Sequence, residues 1–241
     1  MHINPTPKTL PEYIHHLKQE APLTLSGGGI CEVWEIAVPN DATYLSEWAS
    51  RFRQTYCPDG DIDILRAGTD KSRAEYLLEL VFPDKVTPPG PGVRSGDFAE
   101  LLVSDYVEFI LGYWVPRGKY AEKGSRNESV KGVDIVGFKC PVAGQPKVTD
   151  EMLTFEAKAQ LVDGKYKGRL QDAVDDSGKD YLRIGETLAT MKRRMHVSGD
   201  RASMPVVERF QNVADRPYRF LSGAAAILSD SAFDASGIQG T

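Results

Sequence analysis

The stretch LTFEAKAQL, Leu153 to Leu161, alternates without a break: Leu153, Phe155, Ala157, Ala159 and Leu161 share one parity, Thr154, Glu156, Lys158 and Gln160 the other. Such a period of two predicts a β-strand with an apolar face against the core and a second face that is wet or catalytic. Glu156 and Lys158 project from the same side, about 6–7 Å apart along the strand. A carboxylate and an ammonium so placed can hold a divalent cation and reach a water or phosphate beside it. An ordinary solvated strand face carries the same pair, so the neighbouring residues carry the decision.

The preceding strand, VKGVDIVGF from Val130 to Phe138, puts Asp134 among Val133, Ile135 and Val136. An acid in that setting needs a partner to offset its lost hydration. Further upstream, DFAELLVSDYVEFILGY predicts a helix capped by Ser95 or Asp97 and running to about Tyr113. At 100° per residue, Glu100 lies on the same face as Val103, Val107 and Leu111, at the edge of an apolar stripe. Glu100, Asp134 and Glu156 together offer three oxygen ligands with open positions, a set suited to Mg2+ or Mn2+. Phosphodiester hydrolysis needs such a site, with Lys158 orienting or deprotonating the attacking water or stabilising the transition state. Gln160 and Gln171 are candidates to steady that water or a phosphate. His15, His16 and His196 have no partner at ligand spacing and are read as surface or capping residues.

The 241 residues, 41% hydrophobic, suffice for one sizeable domain or a small domain plus a core. The sequence has no run of about 18 uncharged apolar residues and starts without the basic and apolar regions of a secretory signal, so a cytoplasmic protein with no membrane contact is expected. Cys31, Cys57 and Cys140 lack paired spacing, which excludes a disulfide framework or thiolate zinc site and leaves small buried apolar residues. A net charge of -5 gives no global attraction to polyanions. Nucleic-acid contact must then be local, and RGKYAEKGSRNESVK, Arg117 to Lys131, is net +3. Within it Lys119, Lys123, Arg126 and Lys131 are the expected DNA-backbone contacts, positioning without reading bases. A second basic group, Lys192 to Arg194, ends an expected helix.

Organisation follows from the breakers. An N-terminal α+β region over residues 1–83 comprises a strand from Ile30 to Val38, a helix from Ala42 to Tyr56 and a short helix near Ser72 to Val81. SGGGI, Ser26 to Ile30, lacks a following GK[ST] and precedes a strand, so it is a turn rather than a phosphate loop. Prolines and glycines over residues 84–94 form a linker to a core at 95–241. That core has a helix, a three-stranded meander including YWVPR, helices over Lys167 to Met195 broken at DDSGKD, a helix near Val206 to Val213, and the strand GAAAILS. The fold class is α/β with a mixed central sheet flanked by helices.

Helix Glu100, strand Asp134 and Glu156-Ala157-Lys158 resemble the PD-(D/E)XK nucleases, with their restriction-endonuclease-like fold. The chain departs from the shortest form of that motif at Val133, where proline stands in others. GDFAELLVSDYVEFILGYW, RNESVKGVDIVGF and FEAKAQL, with the basic helix and final AAILSD, resemble more particularly the HamA family, nuclease subunits of Hachiman anti-phage systems, over roughly Ser95 to Ala235. The resemblance implies a defence effector that degrades DNA with a divalent metal under control of a helicase partner (HamB-like), with Asp134, Glu156 and Lys158 catalytic and Glu100 an accessory ligand. No Walker motif is present, so a motor would be a separate chain. A non-catalytic DNA- or partner-binding subunit, an RNase and a stand-alone restriction-type nuclease are the alternatives.

Overall fold

The computed structural model describes residues 10–141 and 144–241. A 3-10 turn, Glu12–His16, leads into four short strands: β1 (Leu17–Gln19), β2 (Leu23–Thr24), β3 (Ile30–Cys31) and β4 (Trp34–Ile36). β1 pairs with β4 and β2 with β3, both antiparallel, with SGGGI as the turn between the inner pair. The single strand expected over Ile30 to Val38 is thus two, because its halves serve different ladders. Helix α1 (Ala42–Tyr56) matches its expected bounds, and the Asp41 carboxylate accepts from the Tyr44 amide as an N-cap. α2 (Ile62–Leu65) and α3 (Arg73–Tyr76) follow. α3 opens with a capping box between Ser72 and Glu75 and runs on as a π turn, Leu77–Val81.

Helix α4 (Gly90–Asp105) begins inside the proline-rich segment rather than at Ser95 or Asp97. Pro89 is its N-cap and Pro91 lies in its first turn, where the missing N–H costs nothing because that amide has no intrahelical acceptor. Asp97 therefore sits within the helix, buried, instead of capping it. A π turn, Tyr106–Ile110, extends α4. YWVPR contributes one isolated bridge, Trp114 to Phe138, rather than a strand of a meander.

The central sheet is β5 (Ile135–Lys139), β6 (Glu151–Gln160) and, after α5 (Arg169–Ser177), α6 (Asp180–Val197) and α7 (Met204–Arg209), β7 (Arg219–Leu228). β5 runs antiparallel and β7 parallel to β6, in the order β5-β6-β7, so the sheet is mixed and the protein is α/β as expected. The helical stretch breaks at Gly178 and Lys179, within DDSGKD. A last short helix, α8 (Ala235–Gln239), packs on β2.

Both faces of β6 are covered. Leu153 and Ala157 pack with Val103 and Val107 on the α4 side, while Met152 joins Val136, Phe138, Leu188 and Val207 on the other. Thr154 and Glu156, on the polar parity, are buried. The second face is consequently not wet, because α5 and α6 lie over it. A third cluster joins Tyr13 and Ile14 to Leu102 of α4, with Trp48, Phe52 and Phe98 around them. Among the described residues no helix is long and apolar enough to cross a membrane. Cys57 is buried, Cys31 and Cys140 half-buried, and all three are free.

Candidate active site

The antiparallel register places Ile135 opposite Phe155 and Val136 opposite Thr154. Continued by one residue past the end of β5, it brings Asp134 across from Glu156. The Asp134 Oδ2 accepts from the Ala157 amide at 3.1 Å, which fixes the carboxylate against β6. Gly132, two residues earlier, has φ +117 and its Cα faces the Thr187 side chain, so glycine is what lets the chain turn into β5 here.

Glu100, Asp134, Glu156, Lys158 and Gln160 line one cavity of about 540 Å³. Glu100 is paired with Lys119 and accepts from the Tyr120 hydroxyl at 2.8 Å. Lys119 also donates to the Asp134 carbonyl at 2.7 Å. On β6, the Lys158 Nζ stands 2.7 Å from Glu156 Oε1 and 2.7 Å from Asp176 Oδ2 of α5. Arg183 of α6 reaches Glu156 Oε2 at 3.4 Å and Asp180 Oδ1 at 2.8 Å.

Charge is unevenly matched in this space. Burial, and then the negative charge of Glu100, push the Asp134 carboxyl up to about 7, with Lys119 opposing and Glu156 adding. Such an acid favours any cation that can approach it. At Lys158 burial works to lower the pKa, but hydrogen bonds to Asp176 and Glu156 outweigh it and hold the ammonium above its usual value. Lys158 thus stays protonated near neutrality, which favours a charge-stabilising over a proton-accepting part. Asp176, held by Lys158 and Lys179, is lowered to about 2.

Hard carboxylate oxygens along a shared cavity suit a magnesium-sized ion. Among the described residues, however, no three His, Cys, Asp or Glu groups stand close enough to grip a metal as they are. Each carboxylate has an internal partner instead: Lys119 engages Glu100, Lys158 engages Glu156, and a backbone amide engages Asp134. The donor atoms are of the type such an ion takes, while their present internal partners would have to give way for them to converge on one.

The expected DNA contacts fare differently. Arg117 pairs with Asp105 and Glu108, Lys119 with Glu100, Lys123 with Asp97, and Arg126 with Asp84. The basic loop runs back along α4 and neutralises its acids in order, so its net +3 is largely used inside the molecule. Lys123 is deeply buried against Asp97 and Tyr56, and the Arg126 guanidinium also donates to the Leu78 carbonyl at 2.9 Å. Lys131 alone of the four expected contacts is exposed without an ion pair among the described residues.

Gln160 is buried, and both ends of its amide are taken: Nε2 donates to the Lys165 carbonyl at 2.8 Å and Oε1 accepts from the Lys167 amide at 3.0 Å. It lines the cavity while organising the following loop. Gln171 is exposed on α5, bonded to Asp175 at 2.8 Å, and does not line the cavity. It is the third residue of α5 and lies on the helix's exposed side. Asp176, Asp180 and Arg183 were not singled out from sequence. DDSGKD reads as a helix break, and only packing α5 and α6 over β6 brings its acids to Lys158 and Arg183.

A family model described as HamA matches residues 11–236. The chain belongs to the HamA family. HamA membership associates it with Hachiman defence, and the match extends the likeness back from Ser95 through the N-terminal region. Comparison with curated proteins and with solved structures gives no match.

Proposed function

We propose that this chain is a divalent-metal-dependent deoxyribonuclease, the effector of a Hachiman system, working with a helicase subunit. The observation that carries it is Asp134 facing Glu156 across the β5–β6 register, in one cavity with Glu100 and Lys158. Mg2+ or Mn2+, when bound by these carboxylates, supplies charge neutralisation at the scissile phosphate and lowers the pKa of a water. Asp134 and Glu156 hold the cation, with Glu100 as accessory ligand once Lys119 is displaced. Lys158, kept protonated, donates from Nζ to a non-bridging phosphate oxygen as charge builds there. Asp176 and Arg183 hold Lys158 and Glu156 in place from the covering helices.

The test is metal-dependent cleavage of supercoiled plasmid by the purified chain, with and without a co-purified helicase. Glu156→Ala and Lys158→Ala are each expected to lower the rate at least about 100-fold, the scale of a lost transition-state donor. Variants that cleave at full rate sink the reading.

A second reading, a non-catalytic subunit on a nuclease-like fold, draws on the internal pairing of Glu100 and Glu156. Calorimetric titration separates the two: heat on adding Mn2+ that Asp134→Asn abolishes supports the nuclease, whereas duplex binding without metal heat supports the subunit. A linear, nicked and supercoiled DNA series, with an RNA arm, identifies the substrate. The helicase partner rests on the family, and an adjacent reading frame encoding one tests it.

A further inference from the structure

The segment from Arg117 to Lys131 carries five cations, and four of them, including three of the four expected DNA contacts, are engaged with acids of α4 or with Asp84. The cavity that holds Glu100, Asp134 and Glu156 has other cations on its wall: Lys167 and Arg169, on either side of Gly168 at the start of α5. Lys167 is exposed and has no acidic partner among the described residues. Arg169 has one, Asp172, 2.8 Å away in a half-buried pair three residues along the same helix. Pairs of that kind exchange readily for a better anion. The Arg169 Nε, moreover, is shielded from solvent and has no acceptor, so Asp172 leaves the guanidinium partly unsatisfied. A phosphate oxygen can be reached by the terminal nitrogens of that guanidinium rather than by the shielded Nε.

The placement of these side chains is built. Gln160, at the end of β6, binds the Lys165 carbonyl and the Lys167 amide through its two amide ends, so the strand that carries Glu156 and Lys158 also fixes the backbone of Lys167. The Tyr166 hydroxyl accepts from the Leu170 amide at 2.9 Å and ties the same loop to α5. Held by two anchors, the loop loses little freedom on meeting a ligand.

We propose that Lys167 and Arg169 grip the phosphate backbone of the substrate strand next to the scissile bond, with Gln160 as the residue that positions Lys167. The inference rests on the nuclease reading for its substrate, but concerns binding rather than cleavage. Backbone contacts of this type carry no base preference, and each adds to the salt dependence of binding.

The experiment is fluorescence anisotropy of a labelled DNA duplex in EDTA, titrated with the full chain between about 50 and 200 mM salt. Lys167→Ala/Arg169→Ala is expected to bind about tenfold more weakly, and its log–log salt slope to shrink by about 1.8, close to 0.9 for each lost phosphate contact. The charge-preserving Lys167→Arg/Arg169→Lys should recover the parent's salt slope, which a fold defect would not allow, while its affinity recovers only in part because lysine lacks the guanidinium fork. An unchanged affinity and slope in the double alanine variant overturns the proposal, as does a loss that appears in Lys131→Ala instead. A parent chain that binds with this slope yet shows no metal-dependent cleavage leaves the grip standing and sinks the nuclease reading. Cleavage by the parent with no effect of the double variant does the reverse.

Discussion

Asp134 is a carboxyl group whose burial and acidic neighbours hold it near 7 instead of 3.8. Between those values the folded chain binds a proton that the unfolded chain has already released, so without metal its stability falls as pH rises from about 4 to about 7. Asp134→Asn removes that dependence. Thermal unfolding at pH 8 in EDTA should show the variant melting above the parent by at least about 3 °C, with the gap closing near pH 4. Adding Mn2+ at pH 8 should narrow the gap by stabilising only the parent. Asp134, Glu156 and Lys158 were legible in sequence, because an acid in an apolar strand and a charged pair at strand spacing each demand an explanation. Lys167, Arg169 and Asp176 were not. They lie in a loop and on helix ends, where charged residues are the norm and only tertiary packing shows which of them reach the cavity.

At the level of elements, β6 and β7 meet at an aromatic–glycine pair. Phe155 stands opposite Gly223, and a Cβ on Gly223 would fall 2.5 to 2.8 Å from the ring. Gly223→Ala therefore forces the ring or the strand to shift, and should cost about 1–3 kcal/mol in denaturant unfolding. Since β7 aligns Ala224 with Glu156 and Ala226 with Lys158, the same variant should also lower cleavage. Alternation in LTFEAKAQL revealed the strand and its parities but not that both faces are covered, which depends on helices far along the chain. The onset of α4 was hidden for a related reason. Proline is punctuation inside an element yet is well tolerated in a first turn, and PPGPG holds both cases.

For the molecule as a whole, one fully buried acid holds distant segments together. Asp105 of α4 accepts from the Tyr13 hydroxyl and pairs with Arg51 of α1 and Arg117 of the basic loop. Asp105→Ala would leave two guanidinium groups without their shared anion, and should destabilise the fold by about 3–5 kcal/mol by denaturant unfolding. Nothing in the sequence links residues 13, 51, 105 and 117, because the link is made only when the first third closes on α4. That closure places Tyr13 and Ile14 on the helix that also bears Glu100, a few residues from Leu102, their contact. Tyr13 and Ile14 thus bear on the same turn of α4 that carries one ligand of the proposed metal. A change in how those two side chains pack would be felt at the cavity through its own scaffold, without any contact with its lining.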